Sequence, residues 1–368
     1  MAVRLIQFDS AAEIRGVAAA WDDLWRRSEV AIPLARAESI ALWIERFEPR
    51  ASVRAIAVER DGQFVAALPL IGGRLKRVLP VARLPRNNWS WAGDLLLDAS
   101  ADSAAIGALV SAIARLGWQL VWFEAVPIEA PRWQRFADAA RTAGLSLHTR
   151  ASFRVGQIEI NHDWPAYERR WSKNHRRQMR RIEQHADDDG GATLVVHRDF
   201  KPHDVEPLLR RGFAVEDASW KGRAGSSVLK SPAALAFYVE QARQLAAWGD
   251  LQLSFLELSG RPIAFEYGWN SKGIYHSFKV GYDEAFARLS PGQLLRQRLL
   301  REFFADPAQR RVDFLGPIST AISAWATSTY PVGRLVLSTG SISGRLAIHA
   351  YRSWWPTLQR ASALEFKL

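Results

Sequence analysis

Two halves of this chain carry the same order of elements, and that duplication constrains the fold more than any single residue does. In the first half, Val53–Val58 (VRAIAV) runs into an Asp61-Gly62 turn and a second apolar run, Phe64–Ile71. A helical stretch, Ala104–Leu116, and a short strand, Leu120–Glu124 (LVWFE), follow. In the second half, Leu251–Leu258 (LQLSFLEL) meets a Ser259-Gly260 turn and the run Pro262–Trp269. A helical stretch, Gln293–Phe304, and a strand, Val312–Leu315 (VDFL), complete the copy. Aligned on the turn glycines, Val65-Ala66 falls over Ile263-Ala264. A repeat this long is no solenoid unit. It predicts two copies of one mixed α/β domain, with the boundary between residues 150 and 151.

Composition bounds what such a pair can be. The 368 residues suffice for two domains, and 48% hydrophobic residues can fill two cores. No apolar run approaches the ~18 residues of a membrane-spanning helix. The first residues, MAVRLIQFDS, lack the apolar centre of a signal peptide. There is no cysteine, which excludes disulfides, cysteine nucleophiles and cysteine-ligated zinc and favours a cytoplasmic location. The net charge of +11 favours anionic partners: nucleic acid, an anionic membrane face, or phosphorylated or acidic substrates. A genome that writes Arg and Ala freely produces the same charge. The 16 tryptophans offer flat apolar faces with one donor each, suited to cores and to sugar rings.

Hydrophobic spacing predicts a helix over Ala11–Arg27 and another over Ala37–Phe47. Arg74–Gly93, rich in Pro, Asn and Trp, reads as a long loop. Further helices are predicted over Arg132–Gly144, Val205–Asp217 and Pro232–Trp248, and a strand over Ser152–Ile160. Trp220–Ser227 (WKGRAGSS) reads as irregular, and Asp187–Gly191 as an exposed turn. The tail, Ile342–Leu368 with Trp354-Trp355-Pro356, reads as a packed final helix or a membrane-surface segment.

The densest charge lies in Tyr167–His185, where Lys173, Arg176, Arg177, Arg180 and Arg181 fall within nine positions. On a helix they are either a solvated face or a seat for an anionic acceptor. Trp220 and Lys221 read as a substrate-side loop or a surface turn. Downstream, two strands (Ile263–Trp269 and Ile274–Val280) lead through Leu289-Ser290-Pro291-Gly292 into an amphipathic helix. Its apolar face carries Leu294, Leu295, Leu299, Leu300, Phe303 and Phe304, and its polar face Arg296, Gln297, Arg298, Arg301 and Glu302. A glycine-containing loop entering a helix presents free N–H groups and a positive dipole end, which suits a pyrophosphate.

Four stretches, WSKNHRRQMRRIEQ (Trp171–Gln184), SWKGRAGSS (Ser219–Ser227), KVGYDEAFARLSPGQLL (Lys279–Leu295) and VDFLG (Val312–Gly316), then carry a family resemblance. The chain resembles the GNAT superfamily, specifically the BioF2-like or CelD/BcsL-type acetyltransferases, cousins of the FemAB peptidyltransferases. The resemblance spans roughly Ile158–Trp325. It implies α/β architecture: two tandem GNAT-like folds, each a mixed sheet flanked by helices. Residues 1–150 would be an N-terminal copy without donor binding, and 151–368 the acyltransferase domain with a helical tail. It also implies transfer of an acyl group, expected to be acetyl, from acyl-CoA to an amine or hydroxyl, without a metal. The family's Gln/Arg-x-x-Gly-x-Gly/Ala fingerprint maps onto Arg288, Ser290, Pro291, Gly292, Gln293 and Leu294. Pro291 stands at its first glycine, which leaves the donor open between acyl-CoA and another carrier.

Such chemistry needs a base, an oxyanion donor and an acid. Glu266, His276, Asp283 and Asp313 are the candidate bases. Asp313 stands out because a carboxylate within an apolar run is costly unless paired. Tyr282 and Tyr275 are candidate acids, and Lys279 a candidate oxyanion or phosphate ligand. Each also has an ordinary reading as a strand, packing or surface residue. Lys173, Arg176, Arg177, Arg180, Trp220 and Lys221 are expected to receive the acceptor, a sugar, amino sugar or envelope precursor of anionic character. Two other readings stand beside this one. An aminoacyl-tRNA-dependent transferase would use the basic helix on tRNA, and a non-catalytic scaffold would use it on an anionic partner. Peripheral membrane contact is compatible with all three.

Overall fold

The computed structural model describes residues 3–75, 79–341, 344–349 and 351. Two compact units emerge. The first comprises the described residues up to Val30, Leu34–Phe153, and those from Pro331 on; the second comprises Ala31–Pro33 and Arg154–Tyr330.

The first unit begins with β1 (Arg4–Phe8), α1 (Ala11–Gly16), α2 (Ala18–Arg27) and α3 (Ala37–Phe47). A hairpin of β2 (Val53–Arg60) and β3 (Gln63–Leu75) follows, then β4 (Leu79–Arg83), β5 (Leu96–Leu97), α4 (Ser103–Ala114), β6 (Leu120–Val126) and α5 (Pro131–Thr142). β7 (Leu147–Glu159) carries the chain into the second unit. There α6 (Trp164–Arg169), α7 (Lys173–Asp188), β8 (Ala192–His197), α8 (Val205–Asp217), α9 (Trp220–Arg223) and α10 (Pro232–Ala247) precede β9 (Leu251–Leu258), β10 (Arg261–Ser271) and β11 (Ile274–Tyr282). The unit closes with α11 (Pro291–Ala305), β12 (Arg311–Pro317), α12 (Thr320–Ser323) and the start of β13 (Ser328–Ser338), which returns the chain to the first unit.

The duplication holds at the level of strand order. In the first unit β1, β2, β3 and β4 pair antiparallel in turn, β4 pairs β6 parallel across the α4 crossover, and β6 pairs β13 antiparallel. In the second unit β8, β9, β10 and β11 pair antiparallel, β11 pairs β12 parallel across α11, and β12 pairs β7 antiparallel. Each unit therefore buries a mixed sheet under helices. The first core includes Leu68, Leu109, Phe123, Trp133 and Phe136. The second includes Tyr275, Leu295, Leu299, Phe303 and Trp325.

Several expectations are corrected. The single helix over Ala11–Arg27 is two, broken at Val17 (φ −108°, ψ 18°) just after Gly16, a poor helix former. The long loop after Arg74 contains β4, hidden in sequence by Pro80, whose missing N–H is tolerated near the strand's start because the ladder with β6 begins only at Val81. The charged segment is two helices, because Ser172 caps a new one with its hydroxyl on the His175 N–H. Asp187 and Asp188 lie inside α7 rather than in a turn. Trp220–Arg223 form a helical turn capped by Ser219. The boundary near 150 falls close to Phe153, but the chain from Pro331 on clusters with the first unit instead of ending the second, since β13 hydrogen-bonds β6. Trp354, Trp355 and Pro356 lie outside the described residues.

Candidate active site

The site grows from a disagreement between two parallel strands. β11 and β12 pair at Ile274–Arg311, Tyr275–Val312 and His276–Asp313, and there the register ends. Beyond that point β11 stays on β10, while β12 continues with an irregularity between Asp313 and Pro317, where Leu315 takes φ 57°. The strands therefore open a V whose vertex is the His276–Asp313 pair. On the other side of β11 the ladder with β10 slips between Tyr267 and Gly268, so that Phe278 is the extra residue of a β-bulge. Gly268 is required there: a Cβ would lie 2.4 Å from the Tyr275 hydroxyl and 2.6 Å from the His276 carbonyl.

β11 leaves the V through a 3₁₀ turn, Glu284–Leu289, into α11. Ser290, at φ 49° and ψ 51°, turns the chain, and Pro291 occupies the first helical position. The Ser290 side chain makes no cap bond, so the helix start keeps room for a ligand's oxygens. Gly292 keeps the approach open; the nearest atom to a Cβ there is Tyr282 Cδ1 at 3.8 Å. Gln293 accepts a hydrogen bond from the Trp325 indole (2.9 Å) and Leu294 is buried. Arg288 turns away to an ion pair with Asp189.

The polar residues distribute over the two faces of the sheet. On the α8/α10 face, His276 lies against Trp269 (6.1 Å between rings), its Nδ1 without a partner, and burial pushes its pKa down to about 3. A general base must take up a proton readily near neutral pH, and a group with a pKa of about 3 is a weak acceptor. Lys279 lies over the Tyr238 ring at 5.0 Å, and burial lowers its pKa. Asp313 is buried at the vertex. It accepts from Gln157 Nε2 (2.9 Å), the Leu315 N–H (2.8 Å) and the Tyr330 hydroxyl (3.3 Å). Burial nonetheless raises its pKa. Nothing in the sequence singles out Tyr330, which reaches Asp313 from the start of β13.

On the α11 face, Glu266 is 3% exposed beside Ser277, Tyr275 and Arg296, and burial raises its pKa. Tyr275 packs on Phe303 at 4.6 Å, and burial raises its pKa too. The helical-wheel expectation for α11 is corrected here. Gln297 is 1% exposed, and Arg296 turns inward over Phe314 (5.2 Å) and Trp325 (5.9 Å), its Nε unpartnered. Helical periodicity misses both because two sheet-facing rows flank the apolar one. Asp283 is spent on Arg261 (2.7 Å) and the Ala285 N–H (3.0 Å), and Tyr282 is exposed at the mouth of the turn.

Most cations of the basic helix lie on its exposed side. Lys173, Arg177 and Arg180 are exposed on α7 with no carboxylate in ion-pair range among the described residues, while Arg176 donates to the Arg169 carbonyl (3.0 Å). Lys221 is held by the buried Glu216 (2.8 Å), which also accepts from the Val228 N–H (3.1 Å). That pairing accounts for Lys221 structurally. Trp220 stands 56% exposed. In the first unit the helix equivalent to α11 is α4, and its cap is Asp102, whose carboxylate takes the Ala105 N–H (2.9 Å). An acid there occupies the place of an anion. Asp94 is bound by Arg132 (2.7 Å) and Trp133 (3.1 Å).

Among the described residues no group of three His, Asp or Glu side chains is placed to hold a metal ion, and no helix is long and apolar enough to cross a membrane. Residues 173–321 match a family model described as an acetyltransferase (GNAT) domain. No curated protein matches the sequence. Among solved structures, FemX is similar with a TM-score of 0.60 at 10% identity, over 91% of this chain and 97% of that one. A conserved protein of unknown function from Bacteroides thetaiotaomicron gives 0.56 at 9% identity, over 91% and 99%. L-PGS from Bacillus licheniformis gives 0.52 at 12%, over 90% and 95%. At these identities the likeness is one of fold.

Proposed function

From the premise that residues 173–321 form a GNAT acetyltransferase domain, the second of two tandem GNAT-like folds, we propose that the protein moves an acyl group, acetyl first among them, from acyl-CoA to an amine or hydroxyl of an anionic small-molecule or glycan-precursor acceptor. The observation that carries this reading is the V between β11 and β12 running straight into the open start of α11 at Ser290–Gly292. A donor's phosphates fit the α11 start, where no side chain caps the helix. Its acyl end fits the V, where the edge of β11 beyond His276 has left β12 and offers backbone N–H groups to a developing oxyanion.

Asp313 is the carboxylate at the vertex. Its raised pKa and the hydroxyl of Tyr330 on its Oδ1 suit a proton relay from acceptor through Tyr330 to Asp313. Tyr282, exposed beside Gly292, is suited to return a proton to the departing thiolate. In the first unit Asp102 caps the start of α4, which disfavours a donor's phosphates at that place. Acetyl-CoA titrated into the protein should bind saturably, and Gly292→Glu should abolish that binding. No binding of acetyl-CoA or a longer acyl-CoA to the unaltered protein would overturn this reading. The exposed, carboxylate-free cations Lys173, Arg177 and Arg180 favour a second reading, an aminoacyl-tRNA donor, in that event.

A further inference from the structure

A second concavity lies within the same unit, between the α6–α7 junction and the bend after α12. It has a volume of about 240 Å³, the size of one substituent rather than a whole cofactor. Tyr167, Arg170, Trp171, Ser172, His175 and Trp325 line it, and no carboxylate does. Its frame is rigid. The His175 ring meets Trp171 at 4.7 Å and Trp325 at 4.8 Å, both edge-on, and the Tyr167 hydroxyl donates to the Trp325 carbonyl at 2.7 Å.

His175 is the residue that this frame does not explain. It is 9% exposed, and its Nε2 is buried with no hydrogen-bond partner. A buried polar atom left alone is destabilising, so a partner from outside the chain is the economical reading. The neighbouring donors point to what that partner is. Ser172 caps the 16-residue α7, so the positive dipole end of a long helix adjoins the pocket. Arg170 lines it, holding only a 3.5 Å contact to the Thr327 carbonyl. A guanidinium, a hydroxyl and an imidazole converge beside that dipole end. Donors that come from separate directions suit the three terminal oxygens of a phosphate monoester, which face several ways, better than the two coplanar oxygens of a carboxylate.

We propose that this pocket binds the phosphate of a phosphate ester, held by Arg170, Ser172, His175 and the start of α7. The Trp325 indole, which forms a wall of the pocket, also donates to Gln293 at the start of α11 (2.9 Å), so the bound ester lies next to the donor seat. Its identification with the acyl acceptor rests on the acyl-transfer reading; the pocket itself does not.

Calorimetric titration of the full chain with glucose 1-phosphate and with inorganic phosphate tests this. Arg170→Gln and His175→Gln should each weaken binding about tenfold or more, while Arg181→Gln, the same charge change on exposed α7, should leave it within about twofold. Equal losses in Arg170→Gln and Arg181→Gln would reduce the effect to diffuse helix charge and overturn the pocket. So would the absence of binding by either phosphate. If His175→Gln does not fold, the exposed Arg170 carries the test alone. Gly292→Glu separates the two readings. It should lose acetyl-CoA and keep glucose 1-phosphate; loss of glucose 1-phosphate would move the phosphate to α11 and overturn the pocket. Glucose 1-phosphate binding in a protein that ignores acetyl-CoA would sink the donor reading and leave the pocket standing. Sedimentation with phosphatidic acid vesicles distinguishes the source: retention lost in Arg170→Gln marks a lipid headgroup, and no retention marks a soluble ester, the pocket holding in either case.

Discussion

His276 shows how far a single buried side chain can shape the pH dependence of a fold. Burial depresses its pKa from 6.5 to about 3. The unfolded chain therefore binds a proton that the folded chain refuses between those values. Stability from this group is fully present above about pH 6.5 and is lost as the pH falls toward 3, by on the order of 4–5 kcal/mol in all. His276→Phe, which cannot titrate, should flatten the acid limb of a stability profile taken from urea midpoints at pH 7, 5 and 4. An unchanged slope would mean that other groups carry the acid sensitivity. Asp313 has the opposite sign: burial raises its pKa, so its ionisation works against the fold as pH rises through the raised value. In Asp313→Asn the amide retains acceptor capacity for the Leu315 N–H but cannot take a proton. Turnover should fall about 10²–10⁴-fold with the melting temperature little lowered, as read by steady-state rates beside calorimetry. Both residues were legible in sequence as polar letters in apolar runs, IYHSF and VDFL. Arg296, His175 and Tyr330 were not. Arg296 sits on what the helical wheel calls the polar face, and the surroundings of the other two come from residues 150 positions away or from a different strand 17 positions on.

At the scale of elements, the β10–β11 ladder determines where the V opens. Gly268 faces the bulge, and a methyl there meets the Tyr275 hydroxyl at 2.4 Å and a backbone carbonyl at 2.6 Å. The carbonyl cannot swing away as a flexible side chain can. Gly268→Ala should therefore destabilise by about 1–3 kcal/mol, visible as a lower denaturation midpoint. Gly292 is the contrast: open space around its Cβ predicts that Gly292→Ala folds normally, with any effect confined to donor affinity. Titration and melting of the two alanine variants side by side check both statements. The turn glycines and the Leu-Ser-Pro-Gly approach to α11 were readable because turn and cap chemistry is local. The bulge was not, since an extra residue in one strand is defined only by its partner. α7 is legible only in part: its charge is plain in the sequence, but its start depends on the Ser172 cap, which fixes where the helix begins and thereby where His175 and the pocket stand.

At the scale of the molecule, the duplication was legible because each copy keeps its hairpin, crossover helix and final strand in the same order. What the order concealed is that each unit takes its last strand from far away in sequence. β6 pairs β13, about two hundred residues on, and periodicity within a short window carries no information about such pairings. The consequence is thermodynamic. From Pro331 to Ser338 the first unit receives Val332, Leu335, Val336 and Leu337, all buried, together with the ladder from Gly333–Val126 to Ser338–Leu120. Burying four such side chains is worth roughly 6–12 kcal/mol at about 1.5–3 each, comparable with the whole stability of an ordinary domain, about 5–15 kcal/mol. A chain ending at Tyr330 should therefore retain the sequence of the first copy and still fail to hold its fold. Amide hydrogen exchange reads this directly. β6, from Leu120 to Val126, should lose its protection in the truncated chain, whereas the Ile274–Val280 stretch of β11, whose partners β10 and β12 are both still present, should keep it. Protection of β6 surviving the truncation would mean that the hairpin and α4 suffice to hold it, and that β13 adds to a unit already stable.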